Sequence, residues 1–444
     1  MSNKRLSNEA FWLFANQIVT TLCGLSAAVI TARTLGPEGR GLFTVVFFFS
    51  AMLITFTELG MGHAIPRYTA SEKWSKQDIL TSVLAVSIIR IMITAIIASI
   101  ILLFYANVMF EDVDVGLLFI AFLSIFPIAL HAFLLPYLFG IGETKIYALL
   151  LAFSSFLSFF LIGINYLLDT ITVERLLWME VLGHSITVVV VSFVIVNKVG
   201  SRLGKVRLDF IWRLLKYGIG DYFSSILLFL NNRSIFIIIN TLVNAAAVGI
   251  YSLALVIAEK LYMVGDAVGS SLFIRISRSN EISEIEYSAL IFRITMIVLL
   301  PVALLIGVLS DVIIYVLFGE EFQDTAYILR ILLIAFVLQA GWRIIWLSLS
   351  GYGKVWWSAL TNLLMSIINI SIAVSLLPIY GVKGAAYALT AASIVGILVG
   401  AWQLSSLAPG VKYYDILILR RDDFNILRQV SVGYIMRLWK KLIK

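Results

Sequence analysis

The sequence predicts an all-α polytopic membrane protein, with about twelve transmembrane helices arranged as two six-helix bundles related by a pseudo-twofold axis. Three observations carry this. The 444 residues are 61% hydrophobic and 13% charged, with a mean hydropathy of +1.00, whereas soluble domains are about 45–50% apolar and about 25% charged. The apolar runs are long enough to span a bilayer core, which takes about 20 residues of helix. Short motifs of the first half recur in the second at an offset of about 208 residues (249 minus 41).

Taken in order, the first half reads as spans near 10–32, 42–62, 79–104, 116–138, 146–168 and 176–197. The second reads as spans near 215–240, 245–272, 288–310, 325–349, 354–377 and 382–407. The opening run from Ala10 to Ala32 is too long for a signal-peptide core and reads as a permanent span. The resulting partition is an N-terminal lobe at 1–197, an interfacial linker at 198–214, a C-terminal lobe at 215–407 and a basic tail at 408–444. Connections are short, and no extramembrane domain is large enough to fold alone. Cys23 is the single cysteine, which excludes a disulfide framework and a thiolate metal site.

Lysine and arginine accumulate in cytoplasmic loops. With both termini inside, most of the 33 basic residues lie in cytoplasmic segments, while Arg33, Arg40, Arg175 and Lys383 lie outside. The loops "FEDVDVG" and "GEEFQDT" are then external and acidic. The linker presents Phe210, Ile211, Leu214 and Leu215 on one face, and the tail spaces Phe424, Leu427, Tyr434, Leu438 and Leu442 in helical register. Both patterns suit interfacial helices on an anionic leaflet. The apolar face argues against nucleic-acid binding by the tail.

The repeat is explicit. Gly41-Leu42-Phe43 matches Gly249-Ile250-Tyr251, Glu58 matches Asp266, Arg67 matches Arg275 and Arg90 matches Arg293. Gly140-x-Gly142 parallels Gly351-x-Gly353. Six spans per copy is even, so both copies enter the membrane in the same direction and their axis runs along its normal. A central site between the halves, worked by alternating access, follows from that symmetry.

The stretches "ARTLGPEGRGLFTVV", "VGIYSLALVIAEKLYMV", "VLFGEEFQDTAYILRIL" and "LLPIYGVKGAAYALTAA" resemble the Wzx-type oligosaccharide flippases, a polysaccharide transporter family of the multidrug/oligosaccharidyl-lipid/polysaccharide (MOP) exporter superfamily. The likeness runs from residue 10 to about 410. It implies a V-shaped pair of six-helix bundles, like that of the multidrug exporters of the superfamily. It also implies movement of undecaprenyl-pyrophosphate-linked oligosaccharide across the cytoplasmic membrane of a prokaryote, for O-antigen, capsule or exopolysaccharide. A polysaccharide polymerase and chain-length proteins are the partners expected besides membrane lipids. Many relatives carry an acid just after an arginine like that of "LNNRSIF"; here Ser234 and Ile235 follow Arg233, so a cation-coupling role for that acid does not carry over.

Ionisable groups at bilayer depth need a partner or a polar cavity. Glu58–Arg90 and its repeat Asp266–Arg293 read as structural ion pairs. Arg233 has Ser26 as its counterpart and follows Asn231 and Asn232, and Lys260 has Met52. Neither is duplicated by symmetry, so both are candidates for a pyrophosphate, arginine as a planar fork and lysine as a point charge. Arg330 and Arg343 face Phe119 and Ala132 in the other copy and join the candidates. Arg33 either answers a helix C-terminus or meets a departing phosphate, and Arg40 reads as a solvated loop charge. His63, His131 and His184 are scattered without metal spacing, and His131 reads as a hydrogen-bonded core histidine.

There is no Walker-type loop, so ATP is not expected to drive the chain directly, and no cofactor or metal is expected. No paired acidic motif of a metal-dependent glycosyltransferase stands in a loop, so the chain reads as a transporter and not an enzyme. A cation-coupled multidrug exporter of the same superfamily is the nearest competing reading. A membrane polysaccharide polymerase is more distant, because its outer catalytic loop is missing.

Overall fold

The computed structural model describes residues 3–70, 73–104, 113–279, 283–408 and 411–425. Its helices run α1 (Asn3–Thr57), α2 (Met61–Thr69), α3 (Lys76–Phe104), α4 (Val115–Gly140), α5 (Thr144–Leu167), α6 (Val173–Val199), α7 (Leu208–Arg233) and α8 (Ile235–Leu242). They continue as α9 (Ala245–Ser279), α10 (Ser283–Val308), α11 (Ser310–Phe318), α12 (Asp324–Gly351), α13 (Val355–Tyr380), α14 (Val382–Ser405) and α15 (Tyr413–Leu417). Among the described residues every regular element is helical, as an apolar environment requires of spanning backbone whose polar groups must be satisfied internally. Two compact units result: Met1–Leu253 with Leu317–Phe322, and Ala254–Val316 with Gln323–Lys444.

Eleven helices among the described residues are long and apolar enough to cross a membrane. The first, Phe11–Thr57, has 47 residues and would measure about 70 Å if straight, over twice the roughly 30 Å hydrocarbon core. It is not straight. Gly36 adopts φ 65°, ψ −177° directly before Pro37, a left-handed residue followed by one with no N–H to donate. Arg40 Nη1 then reaches Thr31 Oγ1 at 3.0 Å, although nine residues of straight helix would separate them by about 13 Å. One helix therefore makes two passes, and twelve passes follow from eleven long helices. Arg40 spans the bend, and is not the solvated loop charge expected of it.

In the first unit, Met61, Ile65, Val83, Phe133, Leu138, Ile195, Phe210 and Leu214 form one buried cluster. Phe210 and Leu214 are therefore packed against protein, not laid on a lipid surface as their pattern predicted. The segment before them explains this. Gly204 N donates to Thr81 Oγ1, Lys205 N to Asp78 Oδ1 and Arg207 N to Ser82 Oγ, each at 2.8 Å. Arg207 closes on Asp78 Oδ2 with Nε at 2.8 Å and Nη2 at 2.5 Å. Three backbone donors satisfied by one turn of α3 hold the linker extended and deliver α7 onto the core.

In the second unit α12 is the central helix, buried on all sides from Leu329 through Leu349 apart from a few positions. Small residues of α14 make room for its two neighbours: a Cβ on Gly400 would meet the Trp342 ring of α12, and one on Gly396 would meet Met365 of α13. Trp342 Nε1 donates to Asn362 Oδ1 at 2.9 Å, so the large indole is buried without an orphaned donor. Both units end one helix in the same way. Gly142 (φ 87°) and Gly353 (φ 74°) follow α4 and α12, and the next N–H, of Glu143 or Lys354, returns to Leu138 O at 3.1 Å or Leu349 O at 2.9 Å. These are Schellman closures that need a left-handed residue. The tail residues Leu427, Tyr434, Leu438 and Leu442, and Phe110 to Asp112 of the first acidic loop, lie outside the described residues.

Candidate functional site

In the first unit the two copies of the connector meet. A Cβ on Gly41 would collide with Ala245 O, and one on Gly249 with Pro37 O. Thr44 Oγ1 lies 3.4 Å from Ser252 Oγ, 208 residues on. Residues one repeat apart thus touch one another, the self-complementary contact a twofold produces. Above it Phe48 stacks on Phe229 and meets Phe236 edge-on, and Phe236 meets Tyr251. This aromatic group carries Arg233, whose Cζ lies 5.7 Å from the Phe236 centroid. Arg233 is half-buried at the last turn of α7, Asn231 beside it is buried, and Asn231 Nδ2 donates to Asn232 Oδ1 at 3.2 Å. The asparagines and Arg233 form one polar group within a candidate span, Ser225–Leu242. Arg33 Nε donates to Leu317 O at 2.9 Å, which places it at the carbonyl end of α11.

Arg90 is 2% exposed, but Glu58 does not form its salt bridge. Its Nη2 donates to Ile54 O at 2.8 Å and its Nε to Thr57 Oγ1 at 3.5 Å, and its Cζ lies 4.6 Å from the Phe133 centroid. Glu58 acts on Arg90, and on Tyr222, through space. The predicted tie between the second and third spans exists, made by the carbonyls and hydroxyl at the end of α1 where a carboxylate was expected.

In the second unit the predicted Asp266–Arg293 pair is replaced by two others. Asp266 Oδ1 accepts from Arg343 Nε at 2.7 Å, and the Arg343 Cζ lies 4.4 Å from the Trp346 centroid. Arg293 donates to both oxygens of Asp423, at 2.7 and 3.1 Å, and to Asp415 O at 2.5 Å. The cause is a Gly265-x-x-x-Gly269 step. A Cβ at Gly265 would strike the Ala340 backbone and one at Gly269 the Leu347 side chain, so α9 and α12 approach closely, as small residues allow in membranes. Asp266 is thereby set beside Arg343. The repeat equivalents of these glycines are Thr57 and Met61, and that of Arg343 is Ala132, so the first copy cannot build this pair.

Of the remaining candidates, Arg330 donates to Ser310 Oγ at 2.8 Å, to Gly307 O at 3.2 Å and to Asp311 Oδ2. Lys260 is exposed in the span Ala245–Ser277 and has no ion pair among the described residues. Sequence spacing did not reveal that His131 and His184, on α4 and α6, stand side by side, nor that His131 Nε2 is buried without a hydrogen-bond partner among the described residues. Nothing in a 53-residue separation announces such a contact. Among the described residues no group of three or more His, Cys, Asp or Glu side chains is placed to hold a metal ion.

Bent and paired apolar helices of this kind define a polytopic all-α membrane architecture, and solved structures share it. The "Lipid II flippase MurJ, inward closed conformation" superposes with a TM-score of 0.73 at 17% identity, over 97% of this chain and 99% of that one. An inward-facing multidrug resistance MATE family transporter of the MOP superfamily gives 0.68 at 18% identity, over 87% and 95%. At these identities the likeness is one of fold. Residues 6–273 match the family described as "Polysaccharide biosynthesis protein", and the chain belongs to that family. A stretch of 174 residues is 30% identical to the "Probable low-salt glycan biosynthesis flippase Agl15" of Haloferax volcanii, covering 38% of this chain and 37% of that protein. The match thus spans little more than a third of the length of that curated relative.

Proposed function

We propose that the chain is a flippase, and not an enzyme, that moves lipid-linked oligosaccharide units, carried on undecaprenyl pyrophosphate, from the cytoplasmic to the outer leaflet of a prokaryotic membrane by alternating access. The carrying observation is Lys260, a cation exposed within a membrane span and without an ion pair among the described residues. An uncompensated cation at that depth is costly unless it serves a substrate, and its sign asks for an anionic one. Membership of a polysaccharide biosynthesis family supports the glycan class. Arg233, with Asn231 and Asn232, is the second contact we assign to the pyrophosphate. Arg33, Arg330 and Arg343 are secondary contacts, the last two already engaged by carboxylates. The working partition keeps lobes at 1–197 and 215–407, a linker at 198–214 and a tail at 408–444, with both termini cytoplasmic. A polymerase and chain-length proteins receive the product.

An inside-negative potential favours outward movement of negative charge by about 2.3 kcal/mol per charge per 100 mV. A roughly divalent pyrophosphate needs only a lowered desolvation barrier, which cations at successive depths supply. In a strain deleted for its flippase, the Arg233→Ala, Lys260→Ala double variant should express normally yet accumulate lipid-linked units on the cytoplasmic face. Arg233→Lys should keep part of the activity. Normal surface glycan in the double variant would overturn the assignment.

A further inference from the structure

We propose that His131, His184 and Glu180 form a proton-binding site inside the first unit, and that export responds to pH through it. The coupling half of this rests on the flippase reading; the proton site itself does not. Both imidazoles lie in candidate membrane spans, Val115–Gly140 and Val173–Val199. Their ring centroids are 5.4 Å apart, with planes at 62°. Glu180, one turn before His184, brings Oε2 to 3.4 Å from His184 Nε2. His131 Nε2 and His184 Nδ1 are both buried and lack a hydrogen-bond partner among the described residues, and an unmet buried polar atom is costly. Here two rings from two helices leave one nitrogen each unmet, and a carboxylate stands behind the second ring.

An ionised Glu180 beside His184 favours a proton on that ring, and the neighbouring ring of His131 offers a second nitrogen to it. A second proton would put two cations 5.4 Å apart and is resisted. The pair therefore takes up its first proton more easily than its second, as coupled sites do.

Among the described residues, most charged groups of the surrounding helices are engaged elsewhere: on α6 itself Lys198 pairs with Glu143 and Arg175 donates to Thr170 O, and on α3 Asp78 holds Arg207. Arg90 of α3 is bonded to Ile54 O, and Glu58, after α1, acts on Arg90 and Tyr222. Arg40 of α1 is on Thr31, Arg67 of α2 on Tyr217, and Lys145 of α5 over the Trp12 ring. The α4–α6 contact is among the most extensive in the unit, so a charge change there acts on the packing of two spans at once.

The chain has three histidines, so 15N-histidine NMR of the full-length protein in lipid nanodiscs gives three ring signals, assigned with His63→Gln, His131→Gln and His184→Gln. Two of them should titrate together: one proton shared first, the next only at distinctly lower pH. Glu180→Gln should make that first proton bind about tenfold more weakly, while Glu180→Asp, the conservative control for folding, restores most of it. Independent single-step titration of both rings, or no titration from pH 9 to 4, would overturn the site. In a complemented flippase-deletion strain, wild-type export should rise as external pH falls from 8 to 6, and Glu180→Gln should flatten that response. An unflattened response in Glu180→Gln removes the coupling even where the titration stands. No export by the wild-type chain in any condition removes the flippase reading alone.

Discussion

Arg90 and Arg293 hold the same place in the two copies of the repeat, and both are buried, at 2% and 6% exposure. Arg90 is held by a backbone carbonyl, a hydroxyl and an aromatic face. Arg293 is held by both oxygens of a carboxylate that is itself 1% exposed. The carboxylate, Asp423, comes from the segment that follows the last span. Internal symmetry therefore fixes where these arginines sit, while the segments packed against them decide what they bind.

The largest test of this contrast removes the Asp423 charge. Asp423→Asn should destabilise the purified protein by about 3–5 kcal/mol, the usual loss when one partner of a buried pair is left alone, read as a fall in thermal midpoint in detergent. Thr57→Val, which removes the hydroxyl beside Arg90, should cost only about 1 kcal/mol because the carbonyl bond remains. Equal losses would erase the difference between the two copies.

Next in size is the close approach in the second unit. Gly265→Ala puts a Cβ into the Ala340 backbone and should cost about 1–3 kcal/mol by overpacking, with loss of the Asp266–Arg343 bond. Gly24 in the first unit has nothing within 4 Å of its virtual Cβ, so Gly24→Ala should be neutral or stabilising by up to about 1 kcal/mol. Thermal melts of the two variants side by side give the sign of each.

The smallest effect is on pH dependence. Burial pushes the Asp423 carboxyl up, but hydrogen bonds from Arg293 and Arg420 outweigh it and hold the group below its ordinary value of 3.8. A depressed folded-state pKa adds stability that is present above the ordinary carboxylate range and is lost as pH falls through the folded value. The gap in melting temperature between wild type and Asp423→Asn should be constant from pH 7 to about 5, begin to narrow below about pH 4 and keep narrowing as pH falls through the folded value. A gap that does not narrow at all below about pH 4 would mean that packing, not charge, holds this segment.

Much of the fold was legible because membrane insertion is a strong filter on composition. Any run such as Thr144–Leu167 has to be a helix in lipid whatever its neighbours are. The repeat was legible because Gly41 and Gly249 are needed at one crossing and cannot drift. Partner choice was not legible. Offset reasoning joined Asp266 to Arg293, since the repeat offers those two together, and nothing local shows that Gly265 and Gly269 draw α12 in and bring Arg343 with it. The linker misled in a similar way: Phe210 and Leu214 have the spacing of a lipid-facing stripe, and only the bonds from 204–207 to Asp78, Thr81 and Ser82 turn them inward.

By itself, then, the sequence determined the all-helical class, the number of passes, the two-copy plan and the excess of basic groups at depth. Each of these is set by one-dimensional quantities, run length, composition and period. The tertiary structure decided the partners of Arg90, Arg293 and Asp266, the bend that returns Arg40 to Thr31, and the meeting of His131 with His184. Those depend on which helix faces approach closely enough for a carboxylate, a carbonyl or a second ring to come within a few ångströms, and interhelical distance is a property of the packed side chains that no single run of residues encodes.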